Sequence, residues 1–185
     1  MKRACAVLVA LAVVAGAGCR KTQEQKVAEW IDKLKSPDIE VSGQAGRALI
    51  DIGEPAVPAL AGLLSDPEAR VRRAAASTLW GLGTKTKAAV PALGDTLRDP
   101  DSEVRLSAAM ALENAGPQAE AAVPALVRAL KDNDANVRLW AAKALGAVGP
   151  GARAAVPALE DAAKVDFVRG AAEDALKRIQ GSVSQ

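Results

Sequence analysis

The residues that could do chemistry in this chain are few. Its 185 residues include no His and no Tyr, which removes a serine or cysteine triad, a histidine-held metal and a histidine general base. Asp132-Asn133-Asp134-Ala135-Asn136 has the oxygen donors of half a calcium loop. The sixth position, however, is Val137 where the turn needs Gly, and the twelfth is Lys143 where a bidentate acid belongs. A turn ending in a helix N-cap accounts for this run. The remaining charged pattern is regular: Asp66, Asp99 and Asp132 stand six residues before Arg72, Arg105 and Arg138. The thiols are Cys5 and Cys19. No set of side chains here makes a catalytic centre, and no cofactor or metal site is expected.

What positions these residues is an internal repeat. Val-Pro-Ala-Leu starts at Val57, Val90, Val123 and Val156, a step of 33 residues each time. A second signature, Val71-Arg72, Val104-Arg105, Val137-Arg138 and Val168-Arg169, opens an Ala-rich segment. Counted from that Val, apolar residues recur at offsets 0, 4, 8 and 11, as in Val71, Ala75, Leu79 and Leu82. That spacing is one stripe of an α-helix. Val41, Ala45, Leu49 and Ile52 fit the same template and add a fifth copy at the front. Ala supplies 42 residues and rings only 2% of the chain, so the core is expected to form by close approach of small side chains.

Punctuation agrees with the period. Gly53, Gly83, Gly116 and Gly149 follow the stripes, where a left-handed C-terminal cap wants Gly. Pro117 and Pro150 follow two of them and forbid continuation. The Pro of each Val-Pro-Ala-Leu falls in the first turn of the next helix. Asp66-Pro67, Asp99-Pro100 and Asp132-Asn133 mark the turn inside each pair. The spacing predicts five helical hairpins, the first built from 25–35 and 39–52, the last running from about 152 to 180. The end copies deviate as caps should: Ser42 replaces the Arg, and the last second helix comes two residues early.

Asp-Pro-x-x-x-Val-Arg-x-x-Ala-Ala-x-x-Leu-x-x-Gly, joined to Val-Pro-Ala-Leu, resembles the short HEAT-like repeat named after phycobilisome lyases. The resemblance covers about residues 24–181 and implies an all-α solenoid of the armadillo/HEAT type. It also implies that Asp66, Arg72, Asp99, Arg105, Asp132 and Arg138 form a ladder between neighbouring repeats. That ladder would stop at the ends, where Ser36 with Ser42 and Ala163 with Arg169 lack the pair. The competing reading is an Arg row that meets an acidic partner. For function the resemblance leaves scaffolds, adaptors and chromophore lyases open. The ankyrin Thr-Pro-Leu-His motif is absent, and the aromatic positions of tetratricopeptide repeats are Ala or Leu here.

With so few rings, the three tryptophans stand out. Trp30 lies on the stripe of the first helix and reads as cap packing. Trp80 lies one residue beyond its stripe, where the sibling repeats have Glu113 and Gly146; Trp140 replaces Ala74 and Ser107. Arg73, Leu106 and Leu139 occupy a neighbouring off-stripe row. In HEAT-like solenoids the second helices line the concave surface. Trp80, Trp140, Arg73, Leu106 and Leu139 are therefore the candidate contacts for a protein partner.

The amino terminus reads as an address. Met1-Lys2-Arg3 is basic, and 4–17 is a small-residue apolar run of fourteen, short of the roughly 20 that span a bilayer. Cys19 after Gly16-Ala17-Gly18 resembles the lipobox of bacterial lipoproteins, with Gly16 departing from its usual branched aliphatic residue. The expected organisation is a cleaved signal peptide over 1–18, a lipidated Cys19 with a short linker over 19–23, and a repeat domain over 24–181. Arg20 resembles lipoproteins sorted to an outer membrane. The alternative is a soluble periplasmic or secreted form. Removing Lys2 and Arg3 leaves 22 basic against 22 acidic side chains, so no nucleic-acid partner is implied. The function expected is a non-catalytic interaction scaffold, lipid-anchored at the cell envelope. Intact mass of the membrane fraction should show a diacylated Cys19, and Cys19→Ala should release the protein. A membrane-free chain with an unmodified thiol would remove the anchor.

Overall fold

Ala-rich stripes punctuated every 33 residues yield paired helices stacked side by side. The computed structural model describes residues 21–181. Cys5, Cys19 and the apolar run before Cys19 lie outside the described residues. The pairs are α1 (Gln23–Leu34) with α2 (Ile39–Ile52), α3 (Val57–Leu63) with α4 (Ala69–Leu82), and α5 (Val90–Thr96) with α6 (Ser102–Ala115). Then come α7 (Val123–Ala129) with α8 (Ala135–Val148) and α9 (Val156–Ala162) with α10 (Asp166–Gln180). No strand occurs among the described residues, and no helix among them is long and apolar enough to cross a membrane. The fold is the α-solenoid the repeat implies.

The first helix starts two residues before the expected boundary because Thr22 and Gln25 close a capping box, each side chain meeting the other's backbone N–H. Asp38, Asp101 and Asp134 cap α2, α6 and α8 through two backbone N–H groups each. The exits depart from a simple left-handed cap. Gly53, Gly83, Gly116 and Gly149 have φ between 56° and 82°, but ψ lies between −143° and −129°. Such backbone suits Gly alone. From there the chain does not loop but winds into a 3-10 segment, three residues long at Glu54–Ala56 and seven at Gly83–Ala89, Gly116–Ala122 and Gly149–Ala155. Pro117 and Pro150 enter these segments at their start. The Pro of each Val-Pro-Ala-Leu lies in the first turn of α3, α5, α7 and α9, where its missing N–H has no helical partner to lose.

Each short first helix buries the Leu of that motif: Leu60, Leu93, Leu126 and Leu159 are fully enclosed. They meet the stripes of the second helices, whose Leu49, Leu79, Leu112 and Leu145 are equally enclosed. Ala75, Ala108 and Ala141 let neighbouring second helices approach, and Gly146 lets α10 closer still: a Cβ there would stand 3.0 Å from Cα of Ala175. The second helices thus touch one another along the array, whereas the first helices meet mainly through the 3-10 segments. The end stripes are less complete than the periodicity predicts. Val41 is exposed, and on α10 Leu176 is half-buried while Ala175 turns inward, because an end repeat has a neighbour on one side only.

Gly116→Ala is expected to cost about 1–3 kcal/mol through strain at its positive φ. Gly170→Ala in α10, where a Cβ meets nothing within 4 Å, should add roughly 0.5–1 kcal/mol of stability. Urea unfolding midpoints that move the same way for both would contradict this backbone account.

Candidate functional site

Two surfaces gather the chemically capable residues. The first is the row of turns between paired helices. Arg72, near the start of α4, donates from Nε and Nη2 to the Asp99 carboxylate of the next repeat at 2.6 and 2.8 Å. Arg105 forks in the same way onto Asp132, at 2.8 Å twice. The third guanidinium nitrogen caps the repeat's own turn: Arg72 Nη1 reaches the carbonyls of Asp66 and Pro67, and Arg105 Nη1 those of Asp99 and Pro100. Each Asp in turn accepts the N–H two residues on, from Glu68, Asp101 and Asp134.

Three Asp and three Arg make two forks. Arg138 caps the carbonyls of Asp132 and Asn133, and no carboxylate meets its Nε and Nη2 among the described residues. Asp66 receives no Arg, because the residue that would supply one is Ser42, whose hydroxyl bonds the Leu34 carbonyl instead. Arg70 reaches back from the second repeat to cap Lys35 and Ser36 at 2.7 Å. Arg72 and Arg105 spend their forks internally, so within that row only Arg138 keeps Nε and Nη2 without a carboxylate among the described residues. In the run 132–136, both Asp132 oxygens go to Arg105 and Asp134 Oδ1 caps α8, which leaves no open calcium loop.

Burial opposes ionisation of Asp99 and Asp132. The Arg forks, the turn N–H bonds and the nearby guanidinium charges outweigh it and lower both pKa values. Hydrogen bonds to these carboxylates raise Arg72 and Arg105 correspondingly.

The second surface is the face of the second helices. Trp80 is 43% exposed and lines a groove of about 560 Å³ with Leu139, Trp140, Lys143, Glu113 and Asp174. Its column lies one position off the stripe that Leu79 occupies. Trp140 is half-buried against the core, with Lys143 Nζ 4.3 Å from its ring centroid. Asn114 Nδ2 donates to the Trp80 carbonyl at 2.7 Å and ties the end of α4 to α6.

The sequence candidates thus divide. Trp80, Leu139 and Trp140 come together. Leu106 is half-buried against the core and does not line that groove. Arg73 is exposed but lines a different groove of about 520 Å³ between α2 and α4, together with Arg47 and Arg70. Arg47 was not singled out by sequence reasoning; laying α2 over α4 in register puts it in the column of Ser77, Met110 and Lys143, beside Arg73. Trp30 is half-buried at the front of the array, under Lys33 Nζ at 4.1 Å.

No group of three or more metal-ligating side chains gathers among the described residues. The buried polar side chains Thr78, Thr86 and Thr96 bond the carbonyls of Ala74, Gly83 and Ala92.

A family model described as HEAT repeats matches residues 27–113 and 90–177. Among solved structures, an engineered protein is 28% identical with TM-score 0.57, over 84% of this chain and 79% of that one. The complex of CpcE and CpcF of phycocyanin lyase from Nostoc sp. PCC7120 is 21% identical with TM-score 0.69, over 80% and 96%. A designed armadillo repeat protein in complex with the peptide (KR)4 is 20% identical with TM-score 0.60, over 85% and 87%. No curated protein sequence matches the chain.

If the forks stabilise the fold, Asp99→Asn should cost about 1–3 kcal/mol at pH 7. The folded-state pKa is below the unfolded value of about 3.9, so this stability is present above that value and lost as pH falls through the folded one. The gap between wild type and Asp99→Asn in thermal melts should therefore close below about pH 4. A gap that stays constant into acid would contradict the ionic origin.

Proposed function

The chain belongs to the HEAT-repeat family, and from that premise we propose that it is a non-catalytic scaffold that holds a protein segment against its second helices. Stacked hairpins of this family use extended concave surfaces for binding. In this reading the concave side is the α2–α4–α6–α8–α10 row, whose members touch along the array while the short first helices are spaced by 3-10 turns. The observation that carries the reading is the groove joining Trp80, Leu139 and Trp140. In a core built of Ala and Leu, two of the chain's four rings stand on one face, with Lys143, Glu113 and Asp174 around them. Aromatic anchors rimmed by polar groups are the usual composition of an interface hot spot. The designed armadillo repeat protein holds a peptide; its likeness to this chain speaks for the fold.

The proposal includes the address: acylation at Cys19 would hold the solenoid at the cell envelope with its binding face free. This rests on the sequence around Cys19. The likeness to the phycocyanin lyase complex is one of fold, and the polar groups buried in the core are Thr hydroxyls satisfied by main-chain carbonyls, not a set that could position a tetrapyrrole.

Crosslinked recovery of partners from the native envelope, with wild type, Trp80→Ala and Trp140→Ala side by side, tests the reading. Loss of an anchor ring should cut recovery of a specific partner by about tenfold or more, with the helical circular dichroism unchanged. Equal recovery from all three would favour a lipoprotein that braces the envelope without a specific groove.

A further inference from the structure

The second-helix face changes character along its length. Toward the C-terminal end the groove mixes Lys143 with Glu113 and Asp174 around two rings. Toward the N-terminal end, the groove between α2 and α4 is lined by Arg47, Arg70 and Arg73, and no acidic side chain lines it. α4 carries no acidic residue at all, and Glu40 and Asp51 of α2 do not line the groove. Arg70 is pinned, with Nη1 on the carbonyls of Lys35 and Ser36 and Nη2 on Glu68 at 2.8 Å. Arg47 and Arg73 are different: both are exposed, and neither has a hydrogen bond or ion pair among the described residues. They stand on facing helices, over a floor that includes Ile50 and Ala74, with Ile39 at the rim 88% exposed.

We infer that this α2–α4 groove is a second recognition site, which takes an acidic, aliphatic-bearing segment of the partner protein. The inference rests on the scaffold reading and adds the chemistry of what is bound. Two unpaired guanidinium groups offer bidentate donors to carboxylates without having to give up an internal partner. The apolar floor and the exposed Ile39 accept aliphatic side chains alternating with those carboxylates. Phosphate-rich occupants fit less well: nucleic acid would find no ring in this groove on which to stack a base, and an isolated phosphate would leave the floor uncovered. Single repeats show why the site is local. The Arg73 column continues as Leu106, Leu139 and Gly170, and the Arg47 column as Ser77, Met110 and Lys143; Lys143 faces Gly170, so the paired positive charge of these two columns exists only between the first two repeats.

The test is fluorescence anisotropy on the full chain with a labelled peptide alternating Glu with Leu, and with its Lys-for-Glu counterpart. The Glu peptide should bind, more weakly as salt rises, and the Lys peptide should not. Arg47→Glu with Arg73→Glu should weaken the Glu peptide by about tenfold or more. Both side chains are exposed and unpaired, so the fold should survive; should that pair of reversals unfold the chain, Arg47→Gln with Arg73→Gln takes its place, with the same loss expected. Unchanged affinity after the reversals, equal binding of the two peptides, or binding of phosphatidylglycerol vesicles or single-stranded DNA with the Glu peptide refused would each overturn the proposal. If partner recovery depends on Trp80 while the Arg variants bind the peptide normally, this site fails and the scaffold reading stands. If neither set of changes matters, both fail.

Discussion

A solenoid of short hairpins depends on each repeat fixing the position of the next, and at the two central junctions Arg–Asp forks do so. Ala and Leu stripes drive association, but hydrophobic contact is non-directional and tolerates sliding. The forks are directional, because a planar guanidinium meets a carboxylate with two parallel bonds. Asp99 shows how closely the parts are linked: its carboxylate takes Arg72 from the previous repeat, its Oδ1 also takes the N–H of Asp101, and its carbonyl takes Arg105. Through that bond Asp99 and Arg105, in one repeat, link the two junctions at which each makes a fork. The side chains of these forks are only 7–14% exposed, so each charge depends on its partner for solvation, and a misplaced repeat would leave it unpaired.

That register has consequences on both sides of the stack. Inside, enclosed Ala at Ala75, Ala108 and Ala141 bring second helices close enough that no ring fits between them. Rings therefore appear only at the ends and on the open face of the second helices: Trp30 in the first helix, Phe167 54% exposed at the start of α10, and Trp80 and Trp140 on the groove. Outside, columns of equivalent residues lie side by side, so a single substitution in one repeat alters one local patch. Arg47 and Arg73 make one such patch, and Trp80 with Trp140 another.

Much of this was legible in the sequence. The 33-residue period located the hairpins, the Val, Ala and Leu stripe located the core, and Gly53, Gly83, Gly116 and Gly149 located the helix exits at positive φ. What was not legible depended on geometry beyond a single period. The ψ of those glycines and the 3-10 winding after them belong to the joint between one repeat and the next, which apolar spacing does not encode. The start of α1 was readable from Thr22 and Gln25, but the apolar stripe drew the boundary inward to where Val27 begins it. On the face, off-stripe position singled out Trp80, Leu139 and Trp140, which do share a groove. It could not separate Leu106, which neighbouring helices half-cover, and it overlooked Arg47, whose meaning comes from its neighbour across α2 and α4.

The central claim is that the forks couple neighbouring repeats energetically instead of decorating a stack held by apolar contact alone. A double-mutant cycle on Arg105→Ala and Asp132→Ala, read by chemical unfolding at pH 7, measures that coupling directly. An interaction of about 1 kcal/mol or more is expected, with the double variant less destabilised than the sum of the single ones. Strictly additive single effects would contradict it.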